Sequence, residues 1–261
     1  MTPPTEMIHA AHILGTPNLG DQVCSPAYYV NLSLTERRVR FCDVSDYSTG
    51  DVVFGGGGLL HPANDHYLRS AAELTGCKRI VWGVGTNYHH TADAVFPDWL
   101  KQFDLVGLRD VNSGYDLVPC PSCLNPEFNH PRPVPALECA VYEHYENVIP
   151  LPQFPHFNNA QPWWRFNTAL DFLSAADCVI TNTYHGAYWA SLLGRKVLVW
   201  KPFANRFHHT PFRVEFCDEM NWKQRLHGMT SPPSYLNEAR RLNAAFLPKV
   251  REVLEIQSHK L

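Results

Sequence analysis

Residues 177–200 read DCVITNTYHGAYWASLLGRKVLVW, and their pattern decides the fold. An apolar run at 178–181 has the length and content of a strand. A polar turn follows, then a short helical stretch closed by Gly194, then a second apolar run at 196–200. Strand, turn, helix and strand in that order make one unit of an α/β sheet. The turn sets Asn182, Thr183, Tyr184, His185 and Gly186 where the helix begins. Helix N-termini carry unpaired N–H groups and partial positive charge, so they attract phosphates and carboxylates. A histidine there can give a proton or a hydrogen bond to a docked anion, which makes the turn a candidate active site. A plain N-cap with no ligand is the alternative.

Outward from this unit the same alternation continues. Strands are expected near 7–14, 38–42, 51–54, 79–84 and 105–108, and again near 137–142 and 147–150. Each is brief, apolar and bounded by Gly, Pro or Asp, as buried parallel strands are. Helices are expected after Asp21, over 65–75, near 96–103 and over 166–176, with a long one from 233 to about 255. Residues 119–135, PCPSCLNPEFNHPRPVP, hold six prolines and little periodicity, and mark a crossover. The expected architecture is α/β and GT-B-like: two Rossmann-like halves with parallel sheets and a C-terminal helix. The division is 1–125 for an N-terminal domain on the acceptor side and 126–261 for a C-terminal domain on the donor side, with the terminal helix. Ligands in such folds bind at the carboxyl ends of the strands.

The bulk composition narrows the function. The net charge of −3 comes with no long basic run, so the clustered Lys and Arg of a nucleic-acid footprint are absent. No window approaches the length of an apolar membrane span, and residues 1–15 lack a basic n-region, so a cytoplasmic location is expected. The 8 cysteines include one CxxC, Cys120 and Cys123, without a second pair at zinc-ribbon spacing, and free thiols are expected. The 14 histidines show no HExxH or comparable spacing, so no metal and no cofactor are expected.

Four further groups of residues follow apolar strands. Gly55, Gly56, Gly57 and Gly58 form a loop whose backbone can approach a ligand closely and whose N–H groups can cradle an anion. The spacing matches neither a dinucleotide fingerprint nor a P-loop. Asn18, Gly20 and Asp21 open the first helix, where Asp21 serves either as a cap or as a general base on a hydroxyl. Arg109, in GLRDVNS, either clamps a carboxylate or phosphate or pairs with Asp110. Lys201 and Arg206 follow the last strand of the opening stretch and either add cationic charge to the same cleft or lie on a solvated loop.

Together PNLGD, FGGGGLL, WGVG, GLRDVNS and TNTYHGAYWASLLGRKV resemble the polysaccharide pyruvyltransferase family, in order, over most of residues 13–207. The resemblance implies transfer of a pyruvyl group from phosphoenolpyruvate to two hydroxyls of a sugar in a polysaccharide or glycan precursor, leaving a ketal and phosphate. It implies His185 as the acid that protonates the donor's methylene carbon and Arg109 as the holder of the donor's anionic groups, with Asp21 as candidate base. Many members place arginine two residues before the motif histidine, where this chain has Thr183. The missing charge would then come from Lys201 or Arg206. Two other functions remain in view. One is a GT-B-type glycosyltransferase using a nucleotide-activated sugar as donor, against which stand the lack of any acidic residue in the helix after His185 and the absence of any DxD. The other is a non-catalytic carbohydrate-binding protein.

Overall fold

The computed structural model describes residues 7–34, 37–47 and 50–255. Two parallel sheets divide the chain. The first contains β1 (Met7–His12), β2 (Arg38–Asp43), β3 (Asp51–Gly55), β4 (Arg79–Val84), β5 (Leu105–Leu108) and β6 (Asp116–Leu117), in the order β2-β1-β3-β4-β5-β6. The second contains β7 (Leu137–Glu143), β8 (His156–Asn158), β9 (Ala176–Thr181), β10 (Lys196–Trp200) and β11 (Glu215–Cys217), in the order β11-β10-β9-β7-β8. Every strand pair in both sheets is parallel. The central strands are buried along nearly their whole length, which explains their unbroken apolar character. The architecture is thus two parallel-sheet α/β halves with a C-terminal helix, consistent with a GT-B-like fold.

Helices cover both faces of each sheet. Leu68, Ala71 and Ala72 of α2 (Asp65–Ala72) pack on Phe54 and Val81 of the first sheet. On the second, α3 (Phe166–Ser174) and α4 (Tyr184–Leu192) share a core with Tyr142, Val179 and Val197. Every residue of α4 is buried, so this helix is central rather than amphipathic. Its cluster also takes in Leu19 of α1 (Leu19–Gln22), Val23, Cys24, Cys120 and Cys123, which fixes the two halves to one another. Opposite, α5 (Trp222–Gly228) lays Leu226 beside Trp200.

The long helix α6 (Leu236–Glu255) crosses from one half to the other. Ala239, near its start, belongs to the α4 cluster, whereas Phe246, Val250 and Leu254 pack under Ile8, Val53, Ile80 and Trp82 of the first sheet. Between them Asn243 accepts from Trp82 Nε1 at 2.7 Å and donates to the Pro119 carbonyl at 3.1 Å.

Several expectations need correction. The apolar run at 147–150 is not a strand: Ile149 is buried and its N–H donates to Glu143 Oε2 at 2.7 Å, while the pairing strand is β8. The first helix starts before Asp21 rather than after it, with Asn18 as its cap. The helix expected near 96–103 is a 3-10 turn, Asp98–Gln102. The proline-rich crossover is docked, since its Cys123 carbonyl accepts from Arg240 Nε at 2.9 Å. All eight cysteines are free. Among the described residues no helix is long and apolar enough to cross a membrane.

Candidate active site

A pocket of about 280 Å³ opens between the carboxyl ends of the two sheets. Every residue lining it follows a strand, as the parallel topology requires. Asn18 and Asp21 come after β1, Gly58 after β3, Asn87 and His89 after β4, and Arg109 directly after β5. From the second half come His144 and Glu146 after β7, Asn159 after β8, Thr183, Tyr184 and His185 after β9, and Phe203 and Arg206 after β10.

The turn after β9 is built by its own side chains. Thr183 Oγ1 accepts from Gly186 N at 2.9 Å and caps α4. Asn182 does not line the pocket; its side chain accepts from His144 N at 2.8 Å and donates to the Asn147 carbonyl at 2.7 Å, both residues of the lining. It thereby pins the loop that carries His144 and Glu146 into the site. A Cβ on Gly186 would stand 2.6 Å from Thr183 Oγ1 and Tyr142, so this glycine lets the turn sit tight on β7. His185 is buried; its ring lies 5.2 Å from that of Trp189, and its Nε2 is 3.5 Å from Cys120 Sγ. Gly20 lies against the other ring edge, where a Cβ would fall on His185 Nδ1. Gly20 is therefore what lets α1 approach this histidine.

The glycine loop does less at the pocket than its composition suggests. Cβ atoms at Gly55 and Gly56 would collide with Pro26 and Cys24, so these two admit the 24–26 segment rather than a ligand. The Gly56 N–H is already spent on the Trp82 carbonyl, at 2.9 Å. Gly57, at φ +76°, turns the chain close to Asp21, and Gly58 alone of the four lines the pocket. Lys201 also lies outside: it is exposed and pairs with Glu219.

The electrostatics centre on two arginines. Arg109 is buried, and its guanidinium carbon rests 3.7 Å above the centre of the Tyr184 ring. It does not pair with Asp110, which accepts from Thr86 N at 3.0 Å and Thr86 Oγ1 at 2.6 Å. Among the described residues neither Arg109 nor Arg206 has a carboxylate within ion-pair distance, and the Nε of each is buried without a hydrogen-bond partner. Unpartnered cationic donors are costly unless an anion completes them. Burial and the nearby Arg109 push Arg206 down to about 10, opposed by Asp21. Burial, and then Arg109 and Arg206, hold His185 well below its ordinary 6.5, so the imidazole is neutral in the unliganded site. Burial raises the carboxyl of Asp21, against the pull of both arginines and a 2.9 Å bond from Asn18 Nδ2. The same site thus holds two cations, a neutral imidazole and a carboxylate of raised basicity.

His89, His144, Asn87 and Asn159 were not singled out in the sequence. Their signal was position alone, the first few residues past a parallel strand. Burial, then His61 and Arg206, lowers His89, and burial lowers His144. Among the described residues no three His, Cys, Asp or Glu side chains converge as a metal-ligand set.

Fold and site together define an α/β protein with a cleft between two parallel sheets in which two buried arginines meet a histidine. The family model described as polysaccharide pyruvyl transferase matches residues 19–199, and the chain belongs to that family. Membership implies a transferase acting on carbohydrate. No curated protein matches the chain. A solved structure of an uncharacterised protein from Klebsiella pneumoniae is similar at 17% identity, covering 77% of this chain and 84% of the other, with a TM-score of 0.49.

Proposed function

We propose that this cleft takes phosphoenolpyruvate and transfers its pyruvyl group to two hydroxyls of a glycan as a ketal. One observation carries the reading: Arg109 and Arg206, both lacking a carboxylate partner, converge with His185 in a pocket of about 280 Å³. A small ligand with both phosphate and carboxylate charge matches two guanidinium groups. The volume lies at the small end of ligand sites and favours such a donor over a nucleotide sugar.

The chemistry balances with the groups present. His185, once protonated, gives a proton to the methylene carbon, leaving positive charge at the carbon that bears the phosphate. A sugar hydroxyl bonds to that carbon and loses its proton to Asp21. The carbon–oxygen bond to phosphate then breaks, and the second hydroxyl takes the vacated position. Of the two hydroxyl protons, one replaces that spent on the methyl group and one leaves with phosphate. Arg206 carries the charge that Thr183 does not supply. Donor binding offsets the two arginines and so raises the proton affinity of His185, which arms the acid only when the donor is seated.

Thermal melting against phosphoenolpyruvate, phosphate, pyruvate and a set of nucleotide sugars tests the reading. Phosphoenolpyruvate should raise Tm selectively. Arg109→Ala should weaken that binding by about ten- to a hundredfold, the loss of a charge-assisted bond of roughly 1.5–3 kcal/mol. Selective stabilisation by a nucleotide sugar would overturn it.

A further inference from the structure

A second hollow, of about 1070 Å³, lies beside the first. Its walls come from both halves: residues 14–17, Gln22, Tyr28 and Tyr29 from one, and residues 160–164 with Asn167 from the other. Only a seam separates it from the arginine pocket. Asn159 Nδ2 donates to Asn18 Oδ1 at 3.1 Å, and Leu19 N donates to the Asn159 carbonyl at 2.9 Å. Asn18 and Asn159 line the smaller pocket, and the residues next to them in sequence, Pro17 and Ala160, line the larger.

Trp163 and Trp164 stand in this hollow 63% and 68% exposed, with their rings 6.0 Å apart and nearly perpendicular. Large exposed aromatic surface of this kind signals a partner rather than a fold requirement. Tyr28, 45% exposed on the opposite wall, is held in place by stacking on Phe41 at 4.7 Å and by a 2.9 Å hydrogen bond to His12 Nε2. The lining contains no lysine or arginine, and Glu127 is its one carboxylate. Arg165, set between two lining residues, donates to Gln161 Oε1 at 3.3 Å, so the lining itself favours a neutral polymer over an anionic one. Flat aromatic faces edged by the amides of Asn125, Gln161 and Asn167 suit the C–H faces and hydroxyl edges of a neutral sugar chain.

We infer that this hollow is the docking groove of the acceptor glycan, holding sugars of the chain while its reacting residue reaches over the Asn18–Asn159 seam to Asp21 and His185. The direction of the chain rests on the transfer reading above; the binding does not.

Neutral hexasaccharides of glucose, galactose and mannose, in α and β linkage, titrated into the full-length protein with tryptophan fluorescence as readout, test the groove. At least one should bind saturably, and Trp163→Ala or Trp164→Ala should weaken it at least about tenfold without changing the stabilisation by phosphoenolpyruvate. Arg109→Ala should do the reverse. The groove is overturned if none of these sugars binds at millimolar concentration, or if the double tryptophan variant binds them as wild type does. It is equally overturned if that double variant converts a dimer into a monomer, since the tryptophans would then cover a second copy. Sugar binding through the tryptophans without any response to phosphoenolpyruvate would leave the groove standing and sink the donor reading.

Discussion

At the scale of single residues, the site depends on what surrounds His185 as much as on the imidazole itself. Cys120 Sγ stands beside Nε2, and Gly20 leaves room at the opposite edge. A methyl group at Gly20 must displace the ring, and misplacing a catalytic group by about 1 Å costs on the order of a hundredfold in rate. Gly20→Ala should therefore lower kcat by that order, checked by phosphate release from phosphoenolpyruvate with a glycan acceptor, and overpacking this buried contact should also cost about 1–3 kcal/mol of stability. His185, Arg109 and Asp21 stand out in the sequence because each sits in a distinctive strand-to-helix turn. Gly20 stands out only as part of the Asp21 turn; its packing role does not, since nothing in PNLGD shows that a histidine 165 positions later lies against it. The roles of Gly55 and Gly56 were equally hidden, because loop glycines read alike whether they admit a ligand or a neighbouring segment.

At the scale of elements, α4 links the second sheet to the site. Its N-cap hydroxyl, Thr183 Oγ1, also lies 3.1 Å from Thr181 Oγ1, so the turn is held by two threonines. Thr183→Val keeps the shape and removes the cap. It should cost about 1 kcal/mol, a fall of roughly 2–4 °C in Tm by calorimetry. An arginine at this position would lose the same cap and add a third cation beside Arg109 and Arg206, so it should not tighten donor binding. The main strands were legible because burial on both faces makes parallel strands continuous apolar runs. Strands of two or three residues, such as β6, β8 and β11, carry too few positions to show a pattern. The run at 147–150 misled because Ile149 is buried by its loop, without joining a ladder.

At the scale of the molecule, the cleft exists because two sheets present their carboxyl ends to each other and α6 fastens both. Phe246, buried beneath β4 with its ring 5.2 Å from Trp82, is the main apolar anchor of that helix. Phe246→Ala should destabilise the protein by about 3–5 kcal/mol, lowering Tm on the order of 10 °C. This convergence gathers charge: burial, and after it Arg109 and Arg206, hold His185 neutral, and a docked anion would offset the two arginines. If a docked donor offsets the arginines and raises the proton affinity of His185, binding near neutral pH should take up a proton. The uptake should fade toward strongly acid pH, where the free imidazole is already charged. Titration calorimetry of phosphoenolpyruvate near pH 7, in buffers of different ionisation enthalpy, counts that proton directly. We expect net uptake in the wild-type protein that exceeds the uptake in His185→Gln; no binding at millimolar donor, or the same proton count in both proteins, would contradict it.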